Sequence, residues 1–204
     1  MNYLTLNGKR IDLTDEQVKE IEKSFGFNKV KLSEIAVGKT FEIGKYEFVV
    51  LEHLGDDTRI ILKGLLPEKS TFGKNNNFAD GECVVRERLK TFADEIGSIV
   101  GEDNLVVHTV DLTSDDGLDD YGTTTARMSL LTCKHYRKYV RILDEYKVDK
   151  WWWLATPYST PTHDDASWVK SVSPGGYVHL NCCSDRRRGV RPFCILKSNI
   201  FVSK

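Results

Sequence analysis

The chain holds no CxxC pair, no GxSxG elbow and no phosphate-cradling glycine loop. No apolar run approaches the ~18 residues that a membrane-spanning helix needs. Cysteine is sparse and odd in number: Cys83, Cys133, Cys182, Cys183 and Cys194. That count argues against a disulfide framework or a zinc site and fits a reduced, cytosolic environment. Neither sign of charge dominates. Lys and Arg total 29 against 30 Asp and Glu, and the net charge of −1 excludes whole-protein attraction to nucleic acid or membrane. The opening "MNYLTLNGKRIDLTDEQ" is too polar for a signal peptide.

What is present suffices for a core. With 204 residues and 40% hydrophobic content, one domain with a small appendage is expected. Thr14 can cap a first helix while Gln17 reaches back; Val18, Ile21 and Phe25 form its apolar stripe and Gly26 is placed to end it. Residues 1–28 therefore read as an N-terminal helical unit, and 29–204 as the main domain. From Lys39 to Leu66 the period changes to two, with breaks at Gly44-Lys45 and Gly55-Asp56-Asp57, which predicts an antiparallel meander. "STFGKNNNFADGE" is a loop by composition. Val85, Leu89, Phe92 and Ile96 then recur at helical spacing. "NLVVHTV" reads as a strand and "DLTSDDGLDDYGTTT" as an acidic loop. Thr132 caps a further helix with Tyr136, Tyr139, Val140 and Leu143 as its stripe. "WWWLAT", "SWVKSV", "YVHLN" and "VRPFCILK" complete the chain as strands, with a turn at Pro174-Gly175-Gly176. This order lacks βαβ alternation, so the expected class is α+β, antiparallel sheets and hairpins flanked by two helices.

"TVDLTSDDGLDDYG", "SLLTCKHYRKY", "WWWLATP" and "GVRPFCILKSNIFVS", in this order and spacing, resemble a family of phage, prophage and gut-bacterial proteins of unknown function. That family carries a WWLRSP-like motif followed by GVRP, and the resemblance spans Lys31 to Lys204. It implies a C-type-lectin-like fold, distantly similar to formylglycine-generating enzymes and to the variable proteins of diversity-generating retroelements. The arginine of WWLRSP is Ala155 here, so a role for that arginine is absent.

Strand alternation puts Trp151 and Trp153 on one face and Trp152 on the other, so at least one ring should be core. Val85, Leu89, Phe92, Tyr136, Val140 and Leu143 are expected to share that core. Function then falls to the polar segment between the motifs, the displayed face in retroelement-diversified relatives, although it is not asparagine-rich as diversified regions are. Its adaptable side chains give the candidate contact residues Tyr158, His163, Asp164, Asp165, Trp168, Lys170, Tyr177, His179, Asn181, Arg186, Arg187 and Arg188.

Sharper chemistries find less support. Asp111, Asp115, Asp116, Asp119 and Asp120 lack EF-hand spacing, because Gly117 stands at position seven and Gly122 at position twelve; local capping by Asp111 or Asp115 is the expectation. The resemblance to formylglycine-generating enzymes implies two copper-binding cysteines separated by four residues, whereas Cys182 and Cys183 are adjacent and on a strand would point apart. The five histidines are dispersed, with no HxxxH pair. Arg186 to Arg188 could grip phosphates or stack with Trp168 and Tyr177 on nucleic acid, but the overall charge disfavours it. The expectation is a non-enzymatic phage or prophage binding module with no cofactor and no metal; the alternatives are a formylglycine-type oxidase or other enzyme on the same fold, and a nucleic-acid-binding or host-defence-interfering protein. The module would contact a host protein or surface glycan through 156–189, in the host cytoplasm or on the virion. No membrane partner is expected, nucleic acid is disfavoured, and self-association is left open.

Overall fold

The computed structural model describes residues 2–6, 8–25, 29–163 and 166–204. The first unit opens on a hairpin, β1 (Asn2–Leu6) and β2 (Lys9–Leu13), followed by α1 (Asp15–Phe25). The expected capping box is present: the Thr14 amide donates to Gln17 Oε1 at 3.0 Å and the Gln17 amide to Thr14 Oγ1 at 3.2 Å. Val18 and Ile21 are half-buried, as a stripe requires. Gly26 and the Phe25 side chain lie outside the described residues. The hairpin corrects the reading of this unit as helical only. Its register joins Leu6 to Lys9, and Gly8 has φ +76°. Asn-Gly is a strong hairpin signal in sequence.

The main body is built on one large antiparallel sheet. Its strands are β3 (Lys29–Lys31), β4 (Thr40–Ile43), β5 (Tyr46–Leu54), β6 (Asp57–Leu62), β7 (Leu105–Val106), β10 (Met128–Ser129), β14 (Phe193–Lys197) and β15 (Phe201–Ser203). They lie in the order β10-β14-β6-β5-β4-β15-β3, with β7 also on β14. The meander β4-β5-β6 is as the periodicity required, turning at Gly44 and Gly55. The predicted strand in "NLVVHTV" divides: β7 joins the large sheet, while β8 (His108–Asp111) pairs with β9 (Thr123–Ala126). Helix α2 (Val84–Val100) and helix α3 (Cys133–Glu145) complete the body, together with a three-stranded sheet of β11 (Trp152–Pro157), β12 (Trp168–Val172) and β13 (Val178–Cys182).

Both faces of the large sheet are covered, and its strands show it. On β5, Phe48 and Val50 point to one layer and Val49 and Leu51 to the other. Ile60 and Leu62 against Ile61, and Cys194 and Leu196 against Phe193 and Ile195, repeat the division on β6 and β14. The first layer holds α2 through Val85, Leu89, Phe92 and Ile96; the second holds α3 through Tyr136, Tyr139 and Leu143. The single shared core expected from sequence is therefore two cores with the sheet between them. Helical stripes reveal that a helix buries a face but not which side of a sheet receives it. Full burial of each large apolar side chain stabilises by about 1.5–3 kcal/mol, so both layers are needed.

The tryptophans obey strand alternation. Trp153 belongs to the α2 layer and donates Nε1–H to the Ser70 carbonyl at 2.9 Å. Trp152 belongs to the α3 layer, with its ring 5.8 Å from that of Tyr136. Trp151 is half-buried. The arginine of "GVRP" is scaffold as well. Arg191 is 1% exposed, lies 5.3 Å from the Trp152 ring centre, and donates to the carbonyls of Leu62, Lys63 and Tyr146 at 3.0, 2.7 and 3.0 Å. Burial lowers its pKa to about 10, still charged at neutral pH. One side chain thus ties the end of β6 to the end of α3.

Candidate functional site

The sequence-predicted surface centres on β11-β12-β13. Paired residues across antiparallel strands share a face. Trp152, Val172 and Val178 therefore look toward α3, in line with Lys170, Leu180 and Trp168. Trp153, Ser171, His179 and Asn181 look the other way. Trp168 is 36% exposed, Tyr177 71% and Leu180 42%. Leu180 was missed among the candidates; its signal was an apolar residue between His179 and Asn181 in a strand whose opposite face is polar.

On the second face a network forms around Arg188. Its guanidinium carbon stands 4.8 Å from the Trp151 ring centre and it pairs with Asp185 at 3.2 Å and with the Asn181 side-chain oxygen. His179 meets the Trp151 ring edge-on at 5.0 Å, and Asn181 also donates to Ser171 Oγ. Arg188 is buried, which corrects its reading as a surface contact: its backbone bridges to Ser70 and its cation fills a niche over Trp151. Arg187 is exposed and forks onto Asp185 at 3.0 Å through both Nε and Nη2. Arg186 is exposed. The arginine run is three residues with three fates.

Lys170 is also corrected. Only 9% exposed, it donates to Asp115 Oδ2 at 2.8 Å and lies 5.7 Å from the centre of the half-buried Tyr158 ring. Asp115 receives Arg137 at 3.3 Å on its other oxygen. His163 is exposed with Nδ1 3.0 Å from Asp116 Oδ2. The Ser114 hydroxyl, first among its partners, holds the Asp116 carboxyl well below the usual carboxylate range. Asp164 and Asp165 lie outside the described residues.

The acidic loop is cross-linked to the candidate surface by its own carboxylates. Asp111 Oδ1 accepts from the Thr113 amide at 3.0 Å and hydroxyl at 2.6 Å, the local cap expected. Asp120 accepts from Thr160 and, at 3.1 Å, from Thr162. A buried peg was not foreseen. Asn76, in the asparagine run read as loop, donates to the carbonyls of Ser159 and Trp168 at 2.9 and 3.0 Å and accepts from Tyr121 at 2.8 Å. It is fully buried and fixes the segment leading into β12.

The remaining chemistry-bearing groups are placed as follows. Cys183 is buried, and Cys182 is half-buried with Sγ 3.1 Å from Ser184 Oγ. Cys83 and Cys194 are buried; desolvation lifts the Cys83 thiol to about 11 and raises that of Cys194 further, so neither is a thiolate at neutral pH. Two histidines dispersed in sequence converge on Phe193, His108 at 5.4 Å and His135 at 5.6 Å between ring centres. Burial lowers both, His108 to about 4.

Residues 101–198 match a family described as Domain of unknown function (DUF6273). The matched stretch is just under half of the chain; it runs from the end of α2 through β14 and contains both the tryptophan triplet and "GVRP". It therefore takes in the whole β11-β12-β13 sheet and leaves out the β4-β5-β6 meander. No curated protein and no solved structure matches the chain. Among the described residues, no helix is long and apolar enough to cross a membrane.

Proposed function

We propose that this chain is a non-enzymatic binding module with a C-type-lectin-like fold, of the kind carried by phages and prophages. Its contact surface for a host protein or glycan is the outer part of 156–189. The observation that carries this reading is the exposure of Trp168, Tyr177, Leu180, Arg186 and Arg187 within one segment, on a sheet whose residues Trp152, Trp153, Val169 and Ser171 are buried. Rigid aromatic and arginine anchors on a fixed scaffold are the groups that dominate binding energy at interfaces. The site works in the cytosol or on a virion in this proposal.

The test is capture of partners from host lysate and from purified cell envelope, with wild type and with Tyr177→Ala/Arg186→Ala. Both changed side chains are exposed, so the fold should persist. A partner held by wild type and lost by the double variant supports the reading. Capture unchanged by it moves the site elsewhere. Cys182→Ser should leave capture intact, whereas a loss of function with that single change would favour thiol chemistry.

A further inference from the structure

Beyond the outer face of the three-stranded sheet lies its edge, and we infer that this edge pairs with the same edge of a second copy of the chain. β13 ends the order β11-β12-β13, and no described strand flanks its outer side. Which main-chain groups face outward follows from the ladder. The Ser173 amide bonds the Tyr177 carbonyl at 2.9 Å and the Cys183 amide bonds the Ser167 carbonyl at 2.7 Å, and the register between them is unbroken. In an antiparallel pair alternate residues exchange both bonds with the neighbour. Tyr177, His179, Asn181 and Cys183 therefore point inward, and Val178, Leu180 and Cys182 point outward. The Cys182 carbonyl is taken by the Asp185 amide at 2.9 Å. On this pattern the N–H and C=O of Val178 and Leu180 point away from β12, and no described strand takes them.

Natural edges are guarded by lysine, proline, bulges or other charge. Several edges here follow that rule: β3 is Lys-Val-Lys, β2 contains Lys9, Arg10 and Asp12, and Arg127 stands between β9 and β10. β13 does not. From Ser171 to Ser184 there are fourteen consecutive residues without Asp, Glu, Lys or Arg, in a chain that is 29% charged. The strand has no proline, and its register with β12 has no bulge.

A second copy fits such an edge because the open groups are self-complementary. Antiparallel pairing about a two-fold axis sets Val178 against Leu180 of the second copy, and the reverse, for four main-chain hydrogen bonds. An uncharged strand meets an uncharged strand, and the exposed Leu180 gains an apolar neighbour. The two three-stranded sheets become one of six strands. A strand pair with its flanking side chains is small beside the ~1,600 Å² of a standard interface, so the dimer should depend on concentration. It would present two copies of the outer face on one side chain framework, which raises avidity for any multivalent partner.

The test uses sedimentation of the full chain over a wide concentration range, with Leu180→Pro and Leu180→Lys. Proline at 180 removes an N–H that the β12 ladder does not use, so the fold should survive. Wild type should approach twice its 23.3 kDa mass as concentration rises. Leu180→Pro should stay monomeric with unchanged circular dichroism and unfolding temperature, and Leu180→Lys should weaken association by about tenfold or more through like-charge apposition. Should the proline variant misfold, the lysine variant decides alone. The Val178 amide of wild type should exchange hydrogen more slowly in the dimer. A wild type that is monomeric throughout, or a dimer indifferent to both substitutions, overturns the inference; in the first case the edge is left to a strand from another protein. Neither result depends on whether the outer face captures a partner.

Discussion

Two triplets of identical residues, Trp151–Trp153 and Arg186–Arg188, meet across this fold, and comparing them shows how little identity fixes fate. Trp152 and Trp153 are buried in opposite layers while Trp151 stays half-buried. Arg188 is buried, Arg187 is held by Asp185 and Arg186 is exposed. The tryptophans divide because a strand sends neighbours to opposite sides and both sides here are core. The arginines divide because the chain bends from β13 back along β11, where the Gly189 carbonyl receives the Trp153 amide at 3.1 Å. The member of each triplet nearest the boundary of the core joins the two: Arg188 stacks on Trp151.

The comparison breaks most readily at its buried end. Trp153→Ala should cost about 3–5 kcal/mol by chemical denaturation, because it opens a large cavity and strands the Ser70 carbonyl. A loss near that of an exposed substitution would place Trp153 outside the core. Next in size is an effect in which neither triplet takes part. Indole does not titrate and arginine stays protonated, so acid sensitivity between neutral pH and pH 4 must come from other groups. His108 has a folded pKa of about 4 against an ordinary 6.5, so the unfolded chain binds the extra proton in that window. Its stability contribution is complete above pH 6.5 and is lost as pH falls toward 4, by about 3 kcal/mol. A His108→Gln variant, which keeps a polar partner for the Ser129 hydroxyl 2.9 Å away, should flatten that slope in urea titrations run across the window.

Arg188→Ala should cost about 1–3 kcal/mol, because it removes the Trp151 stack and the Asp185 and Asn181 partners together. Trp151 fluorescence should change with it. Arg186→Ala is the smallest expected effect, within about 0.5 kcal/mol of wild type in thermal or urea unfolding. Equal costs for Arg186 and Arg188 would erase the distinction between the exposed and buried ends of the run.

Much of the fold was legible in local chemistry. The Thr14-Gln17 and Thr132 caps, the period-two run from Lys39 to Leu66 and the stripes of α2 and α3 are all short-range patterns, and each formed the expected element. The hairpin β1-β2 was legible too, through Asn7-Gly8, but its side chains on β2 are mostly exposed and give no strong apolar signal. The candidate surface was half legible. Tyr177, Trp168 and Arg186 are exposed as expected. Lys170 and Arg188 are not, because Asp115 and the Trp151 ring are brought to them from elsewhere in the fold, although Asp185 stands only three residues before Arg188. A charged residue in sequence looks solvent-facing until a counter-charge and a ring are brought to it.

By itself, then, the sequence determined the elements, their periods and most of their caps, since these depend on residues within a few positions of one another. Tertiary structure alone decided that two cores exist where one was expected, that Asn76 pegs a loop more than eighty residues away, and that β13 is left with an unguarded edge. The physical reason is the same in each case. Burial and partnership are properties of surfaces brought together by the whole chain, and neither the side of a sheet nor the neighbour of a strand is written in local order.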